Sequence, residues 1–400
     1  MKLIHFCITV ILSFVLYGQE QSIKELDTDL QTIYSSSNLS GYGVAIFSSE
    51  SIIFSGGYGY SDIERKIPFT IQSVQNIGSI SKTFIGVALE MLVNQNKLDL
   101  DKDINLYLPF AVRNPLYPNT SITLRQLATH TSSINDSDIY EKTYVLEEAF
   151  KKNQELYTEA EYKEIQSIAE NIPYTISGFL KSYLSPNEEL FSKKNYSKNA
   201  PGEIYKYSNV GSALAALVIQ EVTGQSYKSY VNEHIFEPLM MHNSFWDHGL
   251  VSKELLSTNY TTNLQPVPRY SLNTYPDGGI HTNVEDLTKY LQEIMKEHNG
   301  SSEMFLKNQL KEMLTPQLNK KQLKRSKQKH NSGLFWELKS SGSIGHNGAD
   351  PGVLTFMYFD PKKNIGAILF TNCTAHYDES LMSSIKNIWK TLTDFKYSIQ

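Results

Sequence analysis

The feature that most constrains the fold is a pair of β-rich stretches, one near each end of the chain. "GYGVAIFSSESIIFSGGYGYSD", residues 41–62, sets two apolar runs on either side of the polar turn "SSES". "GVLTFMYFDPKKNIGAILFTN", residues 352–372, repeats the arrangement around "DPKKN". Runs of this kind bounded by turn formers read as antiparallel hairpins. With strands at both ends and helical patterns between them, the expectation is one sheet built from the two termini.

The helical patterns are clear. A helix is expected around Ser22 to Ser35, the apolar periodicity reads as helical in "SKTFIGVALEMLVNQNK" and in "SALAALVIQEVTG" with Gly224 as its stop, and "LMSSIKNIWKTLTDF" reads as a closing helix. In "TNVEDLTKYLQEIMKEH", Thr282 and Glu285 are expected to form a capping box, with Val284, Leu287, Leu291 and Ile294 on one face. The fold class is therefore α/β of the α+β type: an antiparallel sheet from both chain ends with flanking helices, plus a mostly helical inserted lobe. A single domain over 22–400 is expected, with a sheet lobe at about 22–75 and 335–400 and a helical lobe at about 76–334. Its 400 residues are enough to bury a large core.

Composition narrows the partners. A net charge of -5 gives no global reason to expect nucleic acid, whose binders carry a basic excess. A small-molecule or peptide substrate fits better. Residues 1–18, with Lys2 ahead of the apolar run Leu3 to Tyr17, have the layout of a secretory signal peptide, the alternative being an uncleaved anchor. A secreted or periplasmic location is expected, with no stable membrane span after signal removal. Cys7 lies within that run, so the mature chain keeps only Cys373, a packed thiol, and has no disulfide. Residues 137–200 are expected as surface excursions. The basic run from Lys320 to His330 reads as a solvated loop rather than a surface for anionic polymers.

Chemistry concentrates first in "NIGSISKTF", where Ser79 and Lys82 are three apart at a helix start. Positions at that spacing share a helix face, so the lysine amine reaches the serine hydroxyl. The unpaired N–H groups of a helix start favour negative charge developing there. Burial of Lys82 lowers its pKa and lets it accept the serine proton. A capping serine with a snorkelling lysine explains the same letters, so this motif alone decides nothing. Ser81 points elsewhere and is given a packing role. "YKYSNVGSALAAL" adds Tyr207 and Asn209 on a loop before an apolar helix, and "SIGHNGADPG" adds His346 and Gly348 on a strand edge.

Taken together, these three motifs make the chain resemble the serine β-lactamase and penicillin-binding protein superfamily, in its class C-like branch of D,D-peptidases, D-aminopeptidases and esterases. "GGYGYSDIERKIPFT", "LRQLATHTSSI", "KNAPGEIYKYSN" and "DGGIHTNVEDLTKYL" extend the resemblance over about Leu26 to Thr371. It implies that Ser79 is the acylated nucleophile, Lys82 its activating partner, and Tyr207 the base that later activates water. Asn209 would bond the substrate amide or the lysine, and the backbone N–H groups of Ser79 and Ala349 would form the oxyanion hole. Losing one such donor typically costs about 3 kcal/mol. Which of Lys82 and Tyr207 takes the first proton stays open. A tyrosine with an ordinary pKa near ~10 is a weak base, so positive charge from Lys82 or His346 is expected to lower it.

One departure matters. Many members have a lysine, threonine and glycine in the third motif, whereas this chain has His346, Asn347 and Gly348. A conditional cation weakens recognition of a substrate carboxylate, and with it true β-lactamase activity. His130 is expected to hold a turn and His281 to pack or shape a pocket wall. His234 and His242 lack a carboxylate at ligand spacing, so no metal and no cofactor are expected. The leading function is an exported serine hydrolase working through an acyl-enzyme on an amide or ester, and a monomer is expected. The alternatives are a catalytically silent sensor or binding module and an envelope structural protein.

Overall fold

The computed structural model describes residues 21–150, 155, 157–375 and 378–398. The expected signal segment 1–18 and Cys7 lie outside the described residues. Strands β1 (Gly41–Ser48), β2 (Ile52–Asp62) and β3 (Ile67–Pro68) come from the first end of the chain. The short β4 (Gln75–Asn76), β5 (Tyr144–Leu146), β6 (Tyr270–Leu272) and β7 (His281–Thr282) form two side ribbons, β4 with β7 and β5 with β6. The other end supplies β8 (Asn331–Ser332), β9 (Glu337–Leu338), β10 (Ile344–Asp350), β11 (Val353–Asp360) and β12 (Ile365–Thr371).

The main sheet has eight strands in the order β3-β2-β1-β12-β11-β10-β9-β8. The seam between β1 and β12 joins the chain ends antiparallel, from Tyr42 opposite Thr371 to Ser48 opposite Ile365. Both faces of this seam are covered, and the alternation along β1 shows how. Tyr42, Val44 and Ile46 pack with Leu26 and Leu30 of α1 (21–35) and with Ile385 and Leu392 of the closing helix, while Ala45 and Phe47 face the larger core. A period of two along a strand produces this division directly. Tyr42 also donates its hydroxyl to Leu30 O at 2.7 Å, tying α1 to the sheet.

The helices between the two ends are α2 (Ser81–Asn94), α3 (Leu124–Ala128), α4 (Glu159–Ile168), α5 (Ile176–Leu184), α6 (Asn209–Thr223), α7 (Tyr227–Val231), α8 (Val284–Asn299) and α9 (Lys320–Ser326), followed by α10 (Glu379–Ser398). In α2 and α6 most side chains are buried, so they form the centre of the larger core. Gly224 ends α6 with a left-handed φ of 71°, as its position predicts. Among the described residues no helix is long and apolar enough to cross a membrane.

Three expectations are corrected. The α8 cap is Asn283, whose side chain accepts from the Asp286 N–H, and not Thr282 with Glu285. Thr282 is in β7, its hydroxyl bonded to that of Ser244 at 2.7 Å. The predicted apolar face is present, but α8 lies on the sheet, where Gln292 Nε2 donates to Ser48 O at 2.9 Å. Residues 137–200 are more than surface excursions, because Phe179, Leu180, Tyr183 and Leu184 of α5 are fully buried in the main core. The basic run forms the short exposed helix α9, capped by Asn319, with Arg325 paired to Glu203.

Candidate active site

The turn that carries Ser79 is built by the ribbon β4–β7. Asn76 Oδ1 accepts from the Gly78 N–H at 2.6 Å, and its Nδ2 donates to Gly278 O at 2.9 Å. This bends the chain into a 3₁₀ turn, Gly78–Ile80, that runs straight into α2. Gly78 has φ +52, and a Cβ there would stand 2.8 Å from Ala349 N, so glycine is required by both conformation and space. Ser79 is half-buried while Gly78, Ile80, Ser81 and Lys82 around it are buried. The Lys82 amine lies 2.9 Å from Ser79 Oγ and donates to Asp277 O at 2.5 Å. Ser81 faces inward, accepting from the Ile280 N–H at 3.2 Å, which is a packing role.

Tyr207 reaches the site because the start of α6 is clamped. Asp136 accepts from the N–H groups of Asn209 and Val210 and from the Ser208 hydroxyl, at 2.7, 3.1 and 3.0 Å. A carboxylate on the first N–H groups of a helix satisfies donors that have no partner inside it. His130, itself at φ 54, accepts on Nδ1 from the Ser208 N–H at 3.2 Å, and its ring lies 4.4 Å from that of Tyr207. It therefore holds the turn, as expected, and also supports the tyrosine. The Tyr207 hydroxyl is buried with no hydrogen bond closed on it, although Ser79 is near enough to favour its ionised form. Lys82 Nζ lies 5.1 Å from the Tyr207 ring centroid.

The third wall is β10. His346 is buried, its Nδ1 2.5 Å from Asn347 O, and its ring centroid is 6.2 Å from that of Tyr207. Gly348 lies against the Ser79 turn, where a Cβ would stand 1.9 Å from Ile77 O. Thr355 on the adjacent β11 donates to Ile77 O at 2.9 Å. The close approach brings the Ala349 amide beside Gly78, one residue from Ser79. Asn209 opens α6 with its N–H on Asp136, and its side chain makes no hydrogen bond to Lys82 among the described residues.

The electrostatics differ from the sequence expectation. Burial lowers the Lys82 pKa, opposed by Asp277, Asp350 and Asp136. Burial raises Asp277 and Asp350 to about 7 each, with Lys82 pulling both down. Tyr207 is pushed well above its ordinary value by burial and by the same three carboxylates, so it rests as a neutral phenol. His346 falls to about 4 through burial and the charge of Lys82, and is neutral at pH 7. The expected lowering of Tyr207 by positive charge is thus reversed, because burial first and the neighbouring carboxylates second favour the neutral phenol.

Sequence reasoning missed these acids and the tyrosines that hold them. Tyr140 donates to Asp277 Oδ2 at 3.1 Å and Tyr144 to Asp350 Oδ1 at 2.8 Å. Asp350 directly follows Gly348 and Ala349, and Asp277 opens the "DGG" run, so each stands as an acid inside a stretch already singled out. His281 lies instead on a neighbouring cavity of about 350 Å³, together with His248, Gln75 and Tyr270.

Comparison with known proteins agrees with this geometry. The family model described as Beta-lactamase matches residues 23–382. Protein flp of Staphylococcus aureus strain N315 is 26% identical over 378 residues, covering 92% of this chain and 66% of its own length. The chain thus spans just under two thirds of that curated relative. The solved octameric penicillin-binding protein homologue from Pyrococcus abyssi superposes with a TM-score of 0.70 at 20% identity, covering 93% of this chain and 77% of that one. A class C beta-lactamase gives 0.67 at 18% identity, covering 94% and 97%. With its sheet joined from both ends and its motifs meeting at one turn, the chain belongs to the Beta-lactamase family and has the fold of penicillin-binding proteins and class C beta-lactamases.

Proposed function

We propose that this protein is a serine hydrolase that forms an acyl-enzyme at Ser79, on an amide or ester substrate of the D,D-peptidase, D-aminopeptidase or esterase kind. Family membership supports a serine hydrolase in general. The observation that carries the reading is the 2.9 Å contact between Lys82 Nζ and Ser79 Oγ on a buried lysine of lowered pKa. In this reading neutral Lys82 takes the Ser79 proton as Oγ attacks the carbonyl. The Ser79 and Ala349 N–H groups stabilise the oxyanion. Tyr207, neutral at rest, protonates the leaving group and recovers a proton from Lys82. In deacylation it accepts a proton from water while passing its own to Lys82, the hydroxide attacks the acyl carbonyl, and the Lys82 ammonium returns a proton to Ser79 Oγ as the acyl carbon–Oγ bond breaks, which restores the serine hydroxyl and the neutral lysine. The neutral His346 supports ester or peptide substrates over β-lactams whose recognition needs a fixed cation for a carboxylate.

The basic-then-apolar start of the chain supports export of this activity. The test treats the purified protein with a fluorescent penicillin and, separately, a fluorophosphonate, and maps the labelled peptide. Labelling at Ser79 by either probe, abolished by Ser79→Ala, is expected. No label from either probe would overturn the reading.

A further inference from the structure

Asp62, Asp101, Asp103 and Asp286 each hold an arginine or lysine, whereas Asp350, like Asp136 and Asp277 beside it, forms no ion pair among the described residues. Its Oδ1 is fixed by the Tyr144 hydroxyl at 2.8 Å, and its Oδ2 makes no hydrogen bond among the described residues. That second oxygen projects over the nucleophile turn, 3.2 Å from where a Cβ on Gly78 would be and 3.2 Å from one on Gly278. Asp277 has its own tyrosine clamp from Tyr140, and its main-chain oxygen accepts from Lys82. The Tyr207 hydroxyl, also buried and unpartnered, faces the same Ser79.

We propose that Asp350 binds a protonated amine carried by the acyl part of the substrate, close to the scissile carbonyl. The inference rests on the acyl-enzyme reading above and names its substrate class as aminoacyl amides or esters with a free amine. The alternative, a carboxylate close to the carbonyl, meets two acids here and no fixed cation that is free, since Lys82 Nζ is held by Ser79 and Asp277 and is neutral in the acyl-enzyme reading. A carboxylate held rigid on one oxygen and open on the other is preorganised for an ammonium group, and little freedom is lost when the ligand arrives. The neutral state of His346 and the acidic surroundings of Lys82 agree with this preference. Asp350 acts here as a specificity residue, and no step of the acyl transfer passes through it.

The test separates the inference from the reading beneath it. Alaninamide, cationic at neutral pH, and its N-acetyl and N-succinyl derivatives compete with a neutral fluorophosphonate for Ser79, in D and L forms. Absence of any Ser79 labelling would overturn the acyl-enzyme reading, and the inference with it. With labelling present, alaninamide of one configuration is expected to protect at a concentration about 10- to 100-fold below that of the N-acetyl form, since a hydrogen bond to a charged group contributes about 1.5–3 kcal/mol. In Asp350→Asn that ratio is expected to fall to near unity, with Tyr144→Phe intermediate, both variants being checked for native circular dichroism. Equal or better protection by the N-acetyl or N-succinyl form, no protection by any form, or a ratio unchanged in both variants would overturn the inference.

Discussion

Gly348→Ala is the sharpest test of how the sheet and the nucleophile turn are joined. The new methyl carbon would stand 1.9 Å from Ile77 O and 2.5 Å from Thr355 Oγ1, where ordinary contact begins at 3.4 Å. The carbonyl is backbone and cannot swing away, so β10 and the turn must separate by about 1.5 Å, the difference between 3.4 and 1.9 Å. That movement breaks the 2.9 Å bond from Thr355 to Ile77 O and carries the Ala349 N–H away from Ser79. Oxyanion donors act only at about 2.7–3.1 Å, and losing one costs about 10²–10³ in rate. Overpacking adds a stability loss of about 1–3 kcal/mol. The expected outcome is a fluorophosphonate acylation rate at Ser79 reduced about 10²–10³-fold, with a smaller loss in urea unfolding. An alanine variant that is acylated at the wild-type rate would refute the argument that this close approach builds the oxyanion hole.

Other outcomes follow from the same structure. Asp136→Ala strips the acceptor from three donors at the start of α6 and should cost about 2–3 kcal/mol, while slowing Ser79 acylation through a displaced Tyr207; unchanged unfolding would contradict it. Asp350 has a folded pKa of about 7 against 3.8 ordinarily, so between these the folded state holds the extra proton and its contribution to stability falls as pH rises. Asp350→Asn should therefore be more stable than wild type above pH ~7, by about 2 kcal/mol once solvent access to the open oxygen is discounted, with the gain fading towards pH ~4. Urea unfolding at both ends of that range checks it, and a variant less stable at high pH would reverse the sign. Phe179→Ala, in a segment that sequence reasoning placed on the surface, should cost about 3–5 kcal/mol in the same assay because Phe179 is fully buried; a loss below about 1 kcal/mol would return α5 to the periphery.

How much was legible followed the range of the interactions. The hairpins, the buried α2 and α6 and the three-residue step from Ser79 to Lys82 are local, set by periods of two and 3.6. The α8 cap slipped by one residue because Thr282 and Asn283 are both capable caps, and only the β7 pairing of Thr282 with Gln75 decides between them. Residues 137–200 looked polar, yet the apolar face of α5 at Ile176, Phe179, Leu180 and Tyr183 fills the core, a fact that depends on what packs above it.

The chain by itself therefore determined the sheet from two ends and the helices between, and it singled out Ser79, Lys82, Tyr207 and His346 as the candidate groups. Only the tertiary structure decided their charge. Asp136, Asp277 and Asp350 come from three distant segments, and folding sets them around one buried lysine. A pKa depends on burial and on neighbours in space, and neither is written in the order of the residues.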